Sequence, residues 1–290
     1  MARLWIIGPG AVGRTLGRLF HIRGAFEIAG IAARTAERAQ AGRAFIGAGE
    51  VIELAAFSPR PGDVVMLSVR DEAIGGVAAR LAEVVDPAGL IVFHCSGARD
   101  LETLAPLRGA ALAALHPVKA FADPAREVAT FAGVVCTLQG DPAALDALAP
   151  AVRTIGGEPV ALEAGVDRRL YHAGAVFASN YLTTLVQAAL DAHAAAGIGQ
   201  ADSLRILAPI LRDALGAILE RGPVQALTGP IARGDAATVA AQAEGLAAHD
   251  PGLADLYKEL GRRTLDLSRR KSPDRDLTAL AQVLAKLASD

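Results

Sequence analysis

The strongest constraint on this chain lies at its start. The short apolar run Leu4-Trp5-Ile6-Ile7 leads directly into Gly8-Pro9-Gly10-Ala11-Val12-Gly13. An unbroken apolar run of this kind reads as a strand buried on both faces. Gly8 then permits a tight turn, Gly10 lets a pyrophosphate approach the backbone, and Gly13 lets the next helix pack close to the strand. That helix is predicted from Ala11 to about Arg23, with its free N–H groups aimed at the phosphates. A glycine loop that follows a strand and opens a helix is the context that signals a dinucleotide site rather than a loop glycine-rich for packing alone. Ser68 and Val69, at the end of a later strand, are expected to bind the cofactor as well.

The end of the second strand distinguishes the two nicotinamide dinucleotides. That strand reads Glu27-Ile-Ala-Gly-Ile-Ala-Ala33 and ends without the acid that binds a ribose 2′-hydroxyl. Arg34, Thr35 and Arg38 follow instead. Arginine pairs with a 2′-phosphate and Thr35 can donate a hydroxyl to it, so NADP (NADPH) is the expected cofactor.

Composition narrows the class. A chain of 290 residues is long enough for two domains and a large core. The net charge of −2 argues against a nucleic-acid partner. Cys95 and Cys136 form no CxxC and the six histidines form no HExxH, so no metal site and no disulfide framework are signalled. Too few residues precede the first strand for a signal peptide, which points to the cytoplasm. Ala173 to Leu190 carries no charged residue and raises a membrane question. Ser179, Asn180, Thr183, Thr184 and Gln187 within it would be costly in hydrocarbon. A central helix, buried in a domain or a dimer interface, is expected there.

Strands and helices alternate through the first half. Further strands are expected at Asp63–Ser68, Gly89–Phe93, Ala110–Leu115, Gly133–Leu138 and Glu158–Leu162. The alternation predicts an α/β domain with a doubly wound, mostly parallel sheet of the Rossmann type over residues 1–163. Ligands bind such sheets at the carboxyl ends of strands, here Gly8, Arg34, Ser68, Ser96 and His116. Beyond 163 the strand pattern gives way to helical segments, predicted at Asp167–Ala196, Gln200–Arg221, Asp235–His249, Gly252–Arg270 and Leu277–Leu287. An all-α domain over 164–290, for substrate binding and dimerisation, is expected.

Four strings carry a resemblance: HCSGA at 94–98, HPVKAF at 116–121, YHAGAVFASNYL at 171–182 and LTGPIARGD at 227–235. The chain resembles a group of oxidoreductases with a Rossmann-like domain and a C-terminal helical domain of formerly unknown function, within the 6-phosphogluconate dehydrogenase-like superfamily. The resemblance spans nearly the whole chain. Some members act as alternative ketopantoate reductases, which implies ketopantoate as a candidate substrate. HCSGA and HPVKAF also resemble prephenate dehydrogenases, where a serine sits near the nicotinamide and a histidine engages the reacting hydroxyl. The matching positions are Ser96 and His116. The aspartate those enzymes carry two residues before the serine is His94 here, which speaks against an aromatic substrate. Related proteins dimerise by interlocking long helices, so a homodimer is expected.

Reduction of a carbonyl needs a hydride, which a nicotinamide supplies, and a proton donor with a pKa near neutral. Histidine suits the second role. His116 stands at a strand end on the expected nicotinamide side, and Pro117 disfavours helical geometry there. The alternative is a structural histidine at a strand end. Ser96 is a candidate to orient substrate or carboxamide, His94 is a weaker candidate, and Lys119 can pair with a substrate carboxylate. Cys95 reads as buried and inert. In the second half, Ser179 and Thr183 fall within roughly 20° of His172 on an ideal helix, with Asn180 about 80° away. This polar stripe makes His172 and Asn180 candidates to touch ligand. Related reductases place Lys or Asn on the corresponding helix. Thr228-Gly229-Pro230 resembles a turn that caps the substrate pocket in related enzymes, which makes Thr228 and Arg233 substrate-binding candidates and Asp235 a helix N-cap. The expected activity is NADPH-dependent reduction of a small 2-oxo acid. The alternatives are a dinucleotide-binding regulatory protein without catalysis and a deazaflavin-dependent NADP reductase.

Overall fold

The computed structural model describes residues 1–286. It divides into two compact units, Met1–Ala178 and Ser179–Asp290. The sequence pattern changes at 163/164, whereas the contacts divide the chain after Ala178.

The first unit is built on an eight-stranded sheet. Its strands are β1 (Arg3–Ile7), β2 (Glu27–Ala32), β3 (Glu50–Val51), β4 (Val64–Leu67), β5 (Ile91–His94), β6 (Ala111–Pro117), β7 (Val135–Gly140) and β8 (Glu158–Ala161). They lie in the order β3-β2-β1-β4-β5-β6-β7-β8. The first six run parallel, β7 returns antiparallel to β6, and β8 runs parallel to β7. The strand order reverses between β1 and β4, so the carboxyl ends of those strands flank a ligand crevice.

Six helices accompany this sheet: α1 (Ala11–Ile22), α2 (Ala36–Ile46), α3 (Ile74–Ala82), α4 (Pro124–Ala129), α5 (Pro142–Thr154) and α6 (Arg168–Val176). Side chains alternate between two buried layers, as the period of a strand requires. Leu4 and Ile6 enter one layer with Leu16, Phe20, Phe93 and Leu148. Trp5 and Ile7 enter the other with Leu67, Ile74, Leu81 and Val92. At the buried start of β4, Asp63 accepts hydrogen bonds from Arg3 and from Trp5 Nε1.

β3, α4 and β6 depart from the sequence reading. The two-residue β3 is too short to leave a periodic signal, and so is α4. β6 runs on to Pro117 instead of ending at Leu115, because β7 comes back alongside it and pairs Thr137 with His116.

The second unit contains α7 (Leu182–Ala195), α8 (Gln200–Ala226), α9 (Pro230–Arg233), α10 (Ala236–His249), α11 (Pro251–Lys271) and α12 (Thr278–Lys286). Its buried core joins Val239, Leu265, Leu277, Leu280 and Leu284. Leu287, the expected end of the last helix, lies outside the described residues. The single helix expected over Asp167–Ala196 is corrected to α6, a π-helical turn at Phe177–Tyr181, and α7. Thr183 and Thr184 donate their hydroxyls to the carbonyls of Ser179 and Asn180 at that turn. Such back-bonding satisfies carbonyl oxygens where the regular ladder is disturbed. The ideal-helix count behind the polar stripe therefore does not run through this segment. The expected helix end at Arg221 is a kink at Gly222 (φ 76°), after which Pro223 restarts the helix to Ala226. Among the described residues, no helix is long and apolar enough to cross a membrane.

Candidate functional site

The glycine loop lies where β1 meets α1. Gly8 has φ 88°, which favours glycine, and a Cβ there would meet Val69 Cγ1 at 2.5 Å. A Cβ on Gly13 would meet Ser68 Oγ at 2.3 Å and the Gly8 carbonyl at 2.7 Å. Ser68 donates its hydroxyl to the Gly8 carbonyl at 2.8 Å, and Arg14 Nε donates to the Pro9 carbonyl at 2.9 Å. The loop is thus pinned from both sides. Gly10 is less crowded, since a Cβ there would meet only the Ser68 carbonyl oxygen, at 3.9 Å, and it forms the N-cap of α1 without a capping side chain. The first N–H groups of α1, from Ala11, Val12 and Gly13, have no partner within the helix, and no acid occupies its first turn. This is a cradle for an anion.

Arg34 and Thr35 follow the carboxyl end of β2 and are exposed. Thr35 is the N-cap of α2 and accepts from the Arg38 N–H. Its hydroxyl also hydrogen-bonds the Glu37 carboxylate, which helps to hold that acid below its usual pKa, and Arg38 follows in the first turn of α2.

Next to the loop is a cavity of about 320 Å³, lined by Val12, Asp71, Ser96, Gly97, His116, Lys119 and His172, among others. Four of the residues singled out from the sequence, Ser96, His116, Lys119 and His172, therefore meet at one place beside the loop residue Val12. Asn180, Thr228 and Arg233 belong to the second unit. There, Lys271 Nζ donates to the carbonyls of Gln225 and Leu227, and Asp235 caps α10 by accepting from the Thr238 N–H. Thr228 and Arg233 are exposed, on either side of Gly229 (φ 92°) and ahead of Gly234 (φ 80°).

Ser96 is more constrained than its sequence context suggests. Its hydroxyl donates to Asp71 at 2.7 Å and accepts from the N–H groups of Ala98 and Arg99. It shapes the turn after β5 and orients the Asp71 carboxylate at the cavity. His94 is fully buried; its Nδ1 accepts from the Ser96 N–H, so its proton rests on Nε2, which faces the Asp100 carbonyl. Burial, with the Arg168 charge, lowers its pKa to about 4. Burial also pushes the Cys95 thiol up and that of Cys136 to about 12, so neither is a ready nucleophile.

The side chains beneath the cavity come from a polar stripe on one sheet face. Thr137 and Gln139 alternate with the apolar Cys136 and Leu138 on β7, and His116 pairs with Thr137 across the strands. Helix α6 lies on this stripe. Its buried Arg168 donates to the Ser96 carbonyl at 2.6 Å and to Gln139 Oε1, while Nε has no partner. Tyr171 places its hydroxyl 2.8 Å from His116 Nδ1 and 3.1 Å from Thr137 Oγ1. Gly97 lets the two histidine rings approach, since a Cβ there would lie 2.5 Å from His172 Nδ1 and 2.8 Å from His116 Cε1.

A near-neutral pKa for His116, expected from its assigned role, is corrected. Burial, then the Arg168 charge and the neighbouring His172, lower it to about 4. His116 is neutral in this site at pH 7. Asp71, Tyr171, Thr137 and Arg168 were not singled out from the sequence. The signal that could have found two of their neighbours' contacts is the polar alternation Thr137-x-Gln139 inside a strand otherwise buried; Arg168 and Tyr171 gave none, because nothing in the sequence shows which face α6 turns to the sheet.

A family model described as a Rossmann-like domain matches residues 2–117, and one described as a domain of unknown function (DUF2520) matches residues 134–264. No curated protein matches the chain by sequence. Among solved structures, the protein TM1727 from Thermotoga maritima is similar at TM-score 0.73 and 22% identity, with 92% of this chain and 99% of that one covered. A reductive aminase from Aspergillus terreus, in complex with NADPH and ethyl-5-oxohexanoate, is similar at TM-score 0.65 and 21% identity, covering 97% of this chain and 99% of that one. A variant imine reductase from Myxococcus stipitatus, in complex with NAD+, is similar at TM-score 0.64 and 16% identity, with both chains covered in full.

Proposed function

We propose that the chain, which matches a Rossmann-like family model over residues 2–117 and the DUF2520 model over residues 134–264, is an NADP(H)-dependent oxidoreductase of a small carbonyl or hydroxy substrate in the 6-phosphogluconate dehydrogenase-like superfamily. The observation that carries this reading is the shared wall: Val12 of the glycine loop lines the same cavity as His116 and His172. The residues fit the cofactor. Gly10 carries no side chain to bar a pyrophosphate, Ala11 to Gly13 offer free N–H groups, and Arg34 suits a 2′-phosphate. The NADPH-bound reductive aminase of the same fold supports this choice.

The bound dinucleotide supplies the hydride. His116 presents Nε2 to the cavity, where it donates a hydrogen bond to a carbonyl oxygen or accepts a proton from a hydroxyl. Negative charge developing on the substrate oxygen favours protonation of the imidazole, which offsets the effect of burial. Lys119 suits a substrate carboxylate, which supports a small 2-oxo acid, with ketopantoate as one member of that class. The Asp71 carboxylate at the same cavity supports a second reading, a cationic C=N substrate, the chemistry that the imine reductase and reductive aminase names describe.

The test is NADPH oxidation with a panel of small 2-oxo acids, ketopantoate included, and a cyclic imine. Turnover of either class supports the reading and selects between the substrates. NADPH binding without turnover of any member favours a regulatory dinucleotide-binding protein. A homodimer is part of the proposal: Leu185 on α7 and Ile206, Ile210, Leu215, Ile218 and Leu219 on α8 are exposed apolar side chains in the single chain. Light scattering that shows a monomer at micromolar concentration contradicts that part.

A further inference from the structure

We propose that Tyr171 is a positioning residue that, with Thr137 donating to its hydroxyl, fixes His116 in the tautomer with its proton on Nε2, the nitrogen offered to the cavity. The inference deepens the reading of His116 as the group that meets the substrate oxygen, and it rests on that reading for its link to the reaction.

The argument is a count of protons. Tyr171 Oη lies between His116 Nδ1, at 2.8 Å, and Thr137 Oγ1, at 3.1 Å. A phenol has one proton, so it donates to one neighbour and accepts from the other. In the first arrangement Thr137 donates to Tyr171, Tyr171 donates to Nδ1, and the imidazole carries its proton on Nε2. In the second, Nδ1–H donates to Tyr171, Tyr171 donates to Thr137, and Nε2 is bare. The second strands the Thr137 hydroxyl proton. Thr137 is buried, at 4% exposure, and among the described residues its hydroxyl has no other hydrogen-bond partner. A buried hydroxyl without an acceptor is unfavourable, so the first arrangement wins.

The surroundings hold this chain of bonds in place. Thr137 is the cross-strand partner of His116, so both side chains stand on the same sheet face. Arg168 lies with Cζ 5.6 Å from the Tyr171 ring centroid, a cation–π contact. Arg168 also anchors the start of α6 through the Ser96 carbonyl and Gln139. The register of α6 against β6 and β7 therefore sets the proton position on His116.

Two readouts on the full-length protein test this. Nitrogen-15 NMR of histidine-labelled protein at neutral pH reports which ring nitrogen of His116 carries the proton. The expected result is a pyrrole-type Nε2 and a pyridine-type Nδ1. In Tyr171→Phe the two tautomers should mix, and kcat should fall about 10-fold with little change in KM, the scale of one neutral hydrogen bond. Thr137→Val removes the acceptor that the Nδ1–H arrangement needs, so it should keep the Nε2–H tautomer. The wild-type and Thr137→Val spectra carry the test should Tyr171→Phe fold poorly. A His116 protonated on Nδ1 in either of these proteins overturns the proposal, and so does an unmixed Nε2–H tautomer in Tyr171→Phe. Mixed tautomers with unchanged kcat overturn its link to the reaction. A fully active His116→Asn instead defeats the reading of the site, while the spectra still decide the tautomer.

Discussion

His116 takes its character from its neighbours. A free imidazole titrates near neutrality and switches tautomer easily; here burial and the Arg168 charge keep it neutral, and Tyr171 engages one nitrogen. Gly97 sets how closely the ring approaches the turn after β5. The same logic applies at the far end of the proposed cofactor site, where the proposal gives the decision between dinucleotides to Arg34. It is exposed and has no carboxylate partner among the described residues, so its guanidinium is available to a 2′-phosphate. Arg34→Asp removes a charge-assisted bond and adds a like charge. The preference for NADPH over NADH should drop roughly 10–100-fold, equivalent to about 1.5–3 kcal/mol. Binding titrations with both dinucleotides read this ratio, and an unchanged ratio would mean that Arg34 does not face the cofactor.

At the scale of elements, the glycine loop works because three of them converge on it. β1 delivers the chain, α1 packs so closely that Gly13 has no room for a Cβ, and the end of β4 sends Ser68 back to the Gly8 carbonyl. Gly13→Ala forces α1 away from β4. It should destabilise the protein by about 1–3 kcal/mol through overpacking and weaken NADPH binding with it. Chemical denaturation and a cofactor titration of the variant check both; wild-type values for each would contradict the packing account. This part of the fold was legible in the sequence, since the strand, the three glycines and the helix are contiguous and every reading is local. The cavity was legible in part. Ser96 and Lys119 follow β5 and β6, and His116 lies near the end of β6, so the strand pattern alone carried them to the carboxyl ends of the strands. Tyr171 and Arg168 were not legible, because their role depends on how α6 lies across β6 and β7. Nor was the π-turn at Phe177–Tyr181, where the 3.6-residue count that defines a stripe no longer holds.

Across the whole molecule, the buried histidines couple folding to pH. His94 and His116 have folded pKa values of about 4 against 6.5 when free. Below 6.5 the unfolded chain binds protons that the folded chain refuses, so the stabilisation present above 6.5 is lost as pH falls toward 4. The loss should be on the order of a few kcal/mol over that window, above the range where most carboxylates titrate. Urea unfolding from neutral to mildly acidic pH measures it. His94→Asn, which keeps an acceptor for the Ser96 N–H but does not titrate, should flatten the dependence, and an equal slope in that variant would contradict the assignment. In the proposed function the loop and the cavity serve one reaction: Gly8–Gly13 would hold the dinucleotide, which would supply a hydride, and His116 would meet the substrate oxygen. The most direct measurement is the steady-state rate of His116→Asn at saturating NADPH, with a substrate that the wild-type protein turns over. The account predicts a fall in kcat of roughly 10²–10⁴-fold with NADPH affinity nearly unchanged. Full activity in His116→Asn would contradict it.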